Sequence, residues 1–293
     1  MDQQLQYIRA IHDAYPDLQI DSVQLFQHGQ FNDILLIDNQ KIFRFPKTQR
    51  EADKLTTEMA LLRSLHDYVR LPIPDPAYQS QKNAPPGKIF IGYRFLSGEP
   101  LWPERLHALR GEKQIQHIAN QLATFLQQLH TISAEQLGVQ LPDFRGCEEW
   151  QDLYDRFRDK LFPFMRSDAH QEVSRQFEDF LSGEHNCNYT SALIHGDFGP
   201  SNILYDAQTD SISGIIDFSS ARWGDPAVDF AAILCSVSYG EKFLERFADV
   251  YPGIEKVLPR ARFYAGTFAL QEALYGLEDG NQAAFESGII EYQ

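Results

Sequence analysis

The stretch "HGDFGPSNILYDAQTDSISGIIDF", His195 to Phe218, constrains the fold more tightly than any other part of the chain. It sets a polar loop ahead of two apolar, β-prone runs. "NILYD" and "ISGIIDF" read as strands, and "AQTDS" between them supplies turn residues, so the segment predicts a β-hairpin. Such a hairpin brings Asn202 and Asp217 out near one end, beside Asp197. Three hard oxygen donors would then converge, a set that suits Mg²⁺ and the phosphates of a nucleotide.

The flanks of this segment differ in kind. "SVQLFQHGQFNDILLIDNQKIFRFPK", from Ser22, is a series of short β-prone segments broken at Gly29 and at the turn signal "DNQ". "READKLTTEMALLRSLHDY" follows, and Leu55, Met59, Leu62 and Leu65 recur at helical steps. "LPIPDP" stops regular structure, because proline cannot continue a helix. "KIFIGYRFL" returns to a strand, and "SGEP" (Ser97 to Pro100) reads as a linker. Beyond it, Ile115, Ile118, Leu122, Phe125 and Leu129 share one helix face, and helical patterns dominate to the end. The expected fold class is α+β, with a β-rich lobe over 1–96 and a helical lobe over 97–293 that carries the embedded hairpin.

Bulk properties exclude several classes. The formal charge is -15, from 41 acidic and 26 basic residues, which disfavours nucleic acid and anionic membrane as partners. No apolar run reaches the length of a spanning helix, and the start lacks signal-peptide or transit character. The three cysteines, Cys147, Cys187 and Cys235, are odd in number and far apart. They suggest neither a disulfide framework nor a zinc site, and a cytoplasmic location is expected. With no heptad or apolar interface stretch, a monomer is expected.

Taken together, "HGDFGPSN", "GIIDF" and "GDPAVDFA" resemble, in order and spacing, the C-terminal motifs of the aminoglycoside phosphotransferases and related small-molecule kinases. In pattern the chain is closest to the 2''-phosphotransferases. The resemblance implies a protein-kinase-like, two-lobed fold and transfer of the γ-phosphate of ATP or GTP to a hydroxyl. It gives Asp197 the role of catalytic carboxylate, and Asn202 and Asp217 that of Mg²⁺ ligands. His195 then braces the loop, while Asp225 and Asp229 cap a helix and hold that loop in place. Phosphoryl transfer asks a protein mainly for positioning and charge neutralisation, which these residue types supply.

Two departures stand at the nucleotide end. Where the family usually has lysine, "KIFRFPK" presents Arg44, on the strand face opposite Phe43 and Phe45. Its guanidinium can neutralise phosphate and fork onto a carboxylate, for which Glu58 on the following helix is the matching partner. The loop expected over the phosphates offers a single glycine, Gly29. Arg94, Phe95 and Leu96 are the expected hinge, receiving the base through main-chain groups.

The acceptor is read as a small molecule, because Asp225 follows Asp217 by only eight residues and leaves no room for a peptide-docking segment. A cationic, hydroxyl-rich aminoglycoside is the first expectation, with Glu241, Glu272, Glu278 and Asp279 as candidate contacts. "ILCSVSYG" after the "DFA" helix lacks the acids that antibiotic-modifying relatives tend to carry there. That leaves a macrolide, a choline- or homoserine-like compound or a sugar derivative open. Arg44 in place of lysine and the single loop glycine also leave open a nucleotide-binding or antibiotic-sequestering protein without catalysis.

Overall fold

The computed structural model describes residues 3–27, 31–81, 84, 87–183, 186–235 and 237–293. Gly29, the expected phosphate-loop glycine, lies outside the described residues. The chain forms two compact units. The first takes in residues 1–100, 132–141 and 202–221, and the second residues 101–131, 142–201 and 222–293.

The first unit is built on an antiparallel sheet of β1 (Val23–Phe26), β2 (Asn32–Ile37), β3 (Lys41–Pro46), β4 (Pro76–Gln79) and β5 (Ile91–Arg94), ordered β1-β2-β3-β5-β4. The β2–β3 connection is a tight turn. Asp38 and Asn39 take φ of 53° and 52°, and Gln40 N–H bonds to the Ile37 carbonyl at 2.9 Å. Asp and Asn tolerate this left-handed backbone, which lets residues 38–40 close a three-residue hairpin loop between Ile37 and Lys41.

Alternation along β3 sorts its side chains. Phe43 and Phe45 join a core with Leu35, Ile37, Phe90 and the α1 (Gln3–Ala14) residues Tyr7, Ala10 and Ile11. Tyr7 stacks on Phe45 at 3.9 Å between centroids. Arg44 faces the other way, toward α2 (Gln49–Leu65), whose first turn is capped by the Thr48 side chain.

A smaller sheet, β6 (Glu99–Pro100), β8 (Ile203–Asp206) and β9 (Ser211–Ile215), completes this unit with α5 (Ala134–Leu137). Half of the expected "SGEP" linker is therefore an edge strand: Glu99 and Pro100 pair with Tyr205 and Leu204. The expected hairpin is present, with β8 and β9 antiparallel from Ile203↔Ile215 to Asp206↔Ser211.

In the second unit, α4 (Glu112–His130) buries Ile118, Leu122, Phe125 and Leu129, and Phe125 stacks on Phe198 at 5.6 Å. β7 (Ala192–Ile194) delivers the His195 loop and pairs antiparallel with β10 (Arg222–Gly224). The remaining helices are α3 (Pro103–Ala108), α6 (Cys147–Arg156), α7 (Ser167–Ser182), α8 (Ala227–Leu234), α9 (Glu241–Leu244), α10 (Ile254–Asp279) and α11 (Gln282–Ile289). Gly276 and Gly288 let α10 and α11 touch through backbone: a Cβ on Gly288 would collide with the Ala269 carbonyl and the Ala273 amide.

One expectation fails here. Cys147 and Cys187 form a disulfide, with Cα atoms 5.5 Å apart. Separation along the chain does not forbid pairing when helices fold back, as α6 and α7 do. With this bridge present, cysteine usage does not point to a reducing compartment. Cys235 is the free cysteine, and burial pushes its thiol pKa up. Among the described residues, no helix is long and apolar enough to cross a membrane.

Candidate active site

In the first unit, strand parity and helix phase bring Arg44 and Glu58 together. Arg44 Nη1 donates to Glu58 Oε1 at 2.7 Å, with side-chain exposures of 8% and 1%. Asp217 Oδ1 lies 3.6 Å from Arg44 Nη2, and its side chain is 43% exposed. The Phe218 N–H also bonds to Glu58 Oε1, at 3.2 Å, so the helix glutamate grips both the strand cation and the backbone beside Asp217. Burial works against the Arg44 charge, but Glu58, Tyr93 and Asp217 outweigh it and hold the guanidinium pKa above its ordinary value. Burial raises the Glu58 carboxyl pKa, opposed by Arg44. The Tyr93 hydroxyl is pushed up to about 12, chiefly by burial, and stays protonated beside Arg44.

Asp217 takes φ of 62° directly after β9, and Asn202 sits in the 3₁₀ turn before β8. Ile216 N–H bonds to the Asn202 carbonyl at 2.9 Å, so both residues occupy one end of the hairpin, as expected from its pairing. Asn202 is 6% exposed. One carboxylate and one amide at that end make a sparse, hard-oxygen donor set. It fits Mg²⁺, which keeps most of its waters and needs few protein ligands. The expected hinge residues take the following places. Phe95 N–H is committed to the Gln40 carbonyl at 2.7 Å, Arg94 pairs with Lys41 in the sheet, and Leu96 packs over Gly214.

In the second unit, the loop carrying Asp197 is held from beneath. Asp229, fully buried, accepts the His195 and Gly196 amides at 2.9 and 2.8 Å. Its other partner is His130 Nε2 at 3.0 Å, and His130 Nδ1 meets the Tyr251 hydroxyl at 2.9 Å. Burial alone would raise the Asp229 pKa, but His130 and the His195 amide outweigh it and keep the carboxylate ionised. His195, also fully buried, accepts the Asp197 N–H on Nδ1 at 3.3 Å. Asp225 caps α8 through the Ala227 amide and takes a forked bond from Arg260 at 2.5 and 3.0 Å.

Asp197 itself opens onto a pocket of about 770 Å³ within this unit. One wall is α6, which contributes Glu149, Asp152 and Asp155, three acids at three-residue spacing on one helix face. Three cations, Arg145, Arg156 and Arg222, are also in the lining, with Phe144, Tyr264 and Phe268. The wall acids are partnered: Glu149 with Arg222 at 3.2 Å, Asp152 with Arg145 at 2.7 Å, and Asp155 with Arg158 at 3.7 Å.

None of Glu241, Glu272, Glu278 and Asp279 lines this pocket. Glu241 pairs with Arg262, Glu278 with Arg156 and Lys160, and Asp279 accepts the Tyr275 hydroxyl. The acids that do line it were visible as "EEWQDLYD", but nothing in the sequence shows that α6 faces Asp197.

Residues 22–264 match the model of the APH phosphotransferase enzyme family, and the chain belongs to that family. The viomycin phosphotransferase of Streptomyces vinaceus is 30% identical over 269 residues, covering 90% of this chain and 91% of its own. Among solved structures, the GDP complex of wild-type aminoglycoside 2'-phosphotransferase-IIIa superposes with a TM-score of 0.89 at 26% identity, over 99% of this chain and 97% of that one. A macrolide 2'-phosphotransferase of type I shares the fold, with a TM-score of 0.76 at 20% identity over 99% of this chain and 96% of its own.

Proposed function

We propose that this phosphotransferase moves the γ-phosphate of ATP or GTP onto a hydroxyl of a cationic, hydroxyl-bearing antibiotic, an aminoglycoside first. The observation that carries the reading is Asp197 opening onto a pocket of about 770 Å³ with an acid-bearing helical wall. A polycation gains from such a wall by taking the place of Arg145 and Arg222 on its acids, while Phe144, Tyr264 and Phe268 offer aromatic surface to sugar or ring faces.

In this reading Asp197 orients the acceptor hydroxyl and takes its proton as the new O–P bond forms. The bond from the γ-phosphorus to its bridging oxygen breaks, and a nucleoside diphosphate leaves. Arg44, aimed by Glu58, neutralises phosphate charge. Asn202 and Asp217 would hold Mg²⁺, which when bound supplies further neutralisation of the phosphates. Asp229 fixes the Asp197 loop through two amides and needs no contact with substrate.

A second acceptor class is favoured by a specific observation. The viomycin phosphotransferase relative matches along 90% of the chain at 30% identity. The wall acids here also come from α6 and not from the segment after α8, where the sequence lacks acids. A panel of kanamycin, gentamicin, viomycin and a macrolide, each offered with ATP and GTP, decides between them. Asp197→Ala is expected to abolish turnover of the selected compound while nucleotide binding survives. Undiminished turnover by that variant ends the reading.

A further inference from the structure

We propose that the Cys147–Cys187 disulfide is a redox-controlled strap on the α6 wall, so that a dithiol reductant loosens this wall and weakens acceptor binding. The functional half of this statement rests on the pocket beside Asp197 being the acceptor site.

Cys147 is the first residue of α6, and Glu149, Trp150 and Leu153 of the same helix line the pocket. Gly146 immediately before it holds φ of 62°, a left-handed backbone that glycine adopts without strain, and so turns the chain into the helix there. At the other end of the bridge, Tyr189 follows Cys187 by two residues and stacks on Phe144, itself a pocket residue, at 6.4 Å. The Arg260 guanidinium lies 5.6 Å from the Tyr189 ring centre while forking onto Asp225. The bridge therefore joins the start of the wall to a segment anchored beneath β10.

What else holds residues 147–149 is weaker. Glu149 accepts the Arg145 N–H at 3.1 Å and pairs with Arg222, both side chains being partly open to water. Ion pairs of that exposure hold little by themselves. Further along, Trp150 stacks on Tyr264 at 4.4 Å and Tyr154 on Phe177 at 4.9 Å, contacts that do not depend on sulfur. Breaking the bridge frees residues 147–149 and leaves the helix seated from Trp150 onward.

Both cysteines are partly exposed, within reach of a small dithiol. Its thiolate attacks one sulfur to give a mixed disulfide, and its second thiolate displaces the protein sulfur. Two electrons and two protons end on Cys147 and Cys187, and the reductant leaves as its own disulfide.

The test compares one protein in two states, oxidised in air and reduced with dithiothreitol. Thiol titration should count one group before reduction and three after, Cys235 being free throughout. Amide exchange over residues 145–149 should quicken on reduction while that of residues 153–156 and of α4 holds. The KM for whichever of viomycin or kanamycin is turned over should rise about fivefold, a loss typical of a slackened positioning wall, with the nucleotide KM unchanged. Cys147→Ser should behave as the reduced protein, and Cys235→Ser should respond as wild type. Three titratable thiols in the oxidised protein, or unchanged α6 exchange, overturns the strap. If neither compound is phosphorylated in either state, the acceptor reading fails, and the exchange result still decides the strap.

Discussion

Glu58→Ala tests whether the buried ion pair is there for chemistry or for stability. The Arg44 and Glu58 side chains are 8% and 1% exposed, so removing the carboxylate leaves a cation almost out of water. Breaking a pair so buried costs about 3–5 kcal/mol. Asp217 stands 3.6 Å from Arg44 and can take over part of the pairing. Its side chain is 43% exposed, which limits that recovery to about 1 kcal/mol. The net expectation is a loss of about 3 kcal/mol, read as a lower urea midpoint for the sheet-bearing unit. Replacing both partners by apolar residues, Arg44→Met with Glu58→Leu, removes the desolvation penalty too and should recover most of the loss, short of about 1–2 kcal/mol for the Phe218 N–H that loses its acceptor. That double variant should nevertheless lose turnover by about a hundredfold or more, because the phosphate-neutralising cation is gone. A folded double variant with wild-type turnover would refute the role given to Arg44. A single variant costing under about 1 kcal/mol would refute the buried-charge argument.

Three further outcomes are expected. Asp229→Ala strips the acceptor from the His195 and Gly196 amides and from His130, costing about 3 kcal/mol. Steady-state kinetics should then show a fall in kcat larger than any rise in acceptor KM. Glu149→Gln, Asp152→Asn and Asp155→Asn should each raise the KM of a cationic acceptor and spare the nucleotide KM, whereas Glu241→Gln, Glu272→Gln and Asp279→Asn should change neither; the reverse pattern would return the acceptor site to α9 and α10. Gly288→Ala should lower the melting temperature through about 1–3 kcal/mol of overpacking between α10 and α11, with acceptor KM unchanged.

Local patterns carried well from sequence to structure where the physics is local. The two β-prone runs around "AQTDS" pair as they must to bury Ile203, Ile212 and Ile215, and that register alone puts Asn202 and Asp217 at one end. Parity along β3 separates Arg44 from Phe43 and Phe45, because alternate side chains cannot share a face. What was not legible depends on long-range packing. The α6 acids border the Asp197 pocket only because residues 142–144 run beside β10, through the Phe144 N–H to the Trp223 carbonyl at 2.9 Å. Cys147 and Cys187 meet across 40 residues for a similar reason, the return of α7 along α6. Acids chosen by composition alone, such as Glu278, turn out to be held by neighbouring cations whose positions no spacing rule specifies.

The left-handed turn at Asp217 has a consequence for how such chains can drift. Residues other than glycine seldom tolerate that twist, and among them asparagine and aspartate do so most readily. Trading a single oxygen for an NH₂ group there would leave every strand and helix where it is while stripping the negative charge from that end of the hairpin. An Asp217→Asn copy would therefore be a well-formed molecule, distinguishable from this one by one functional group and by nothing in its shape.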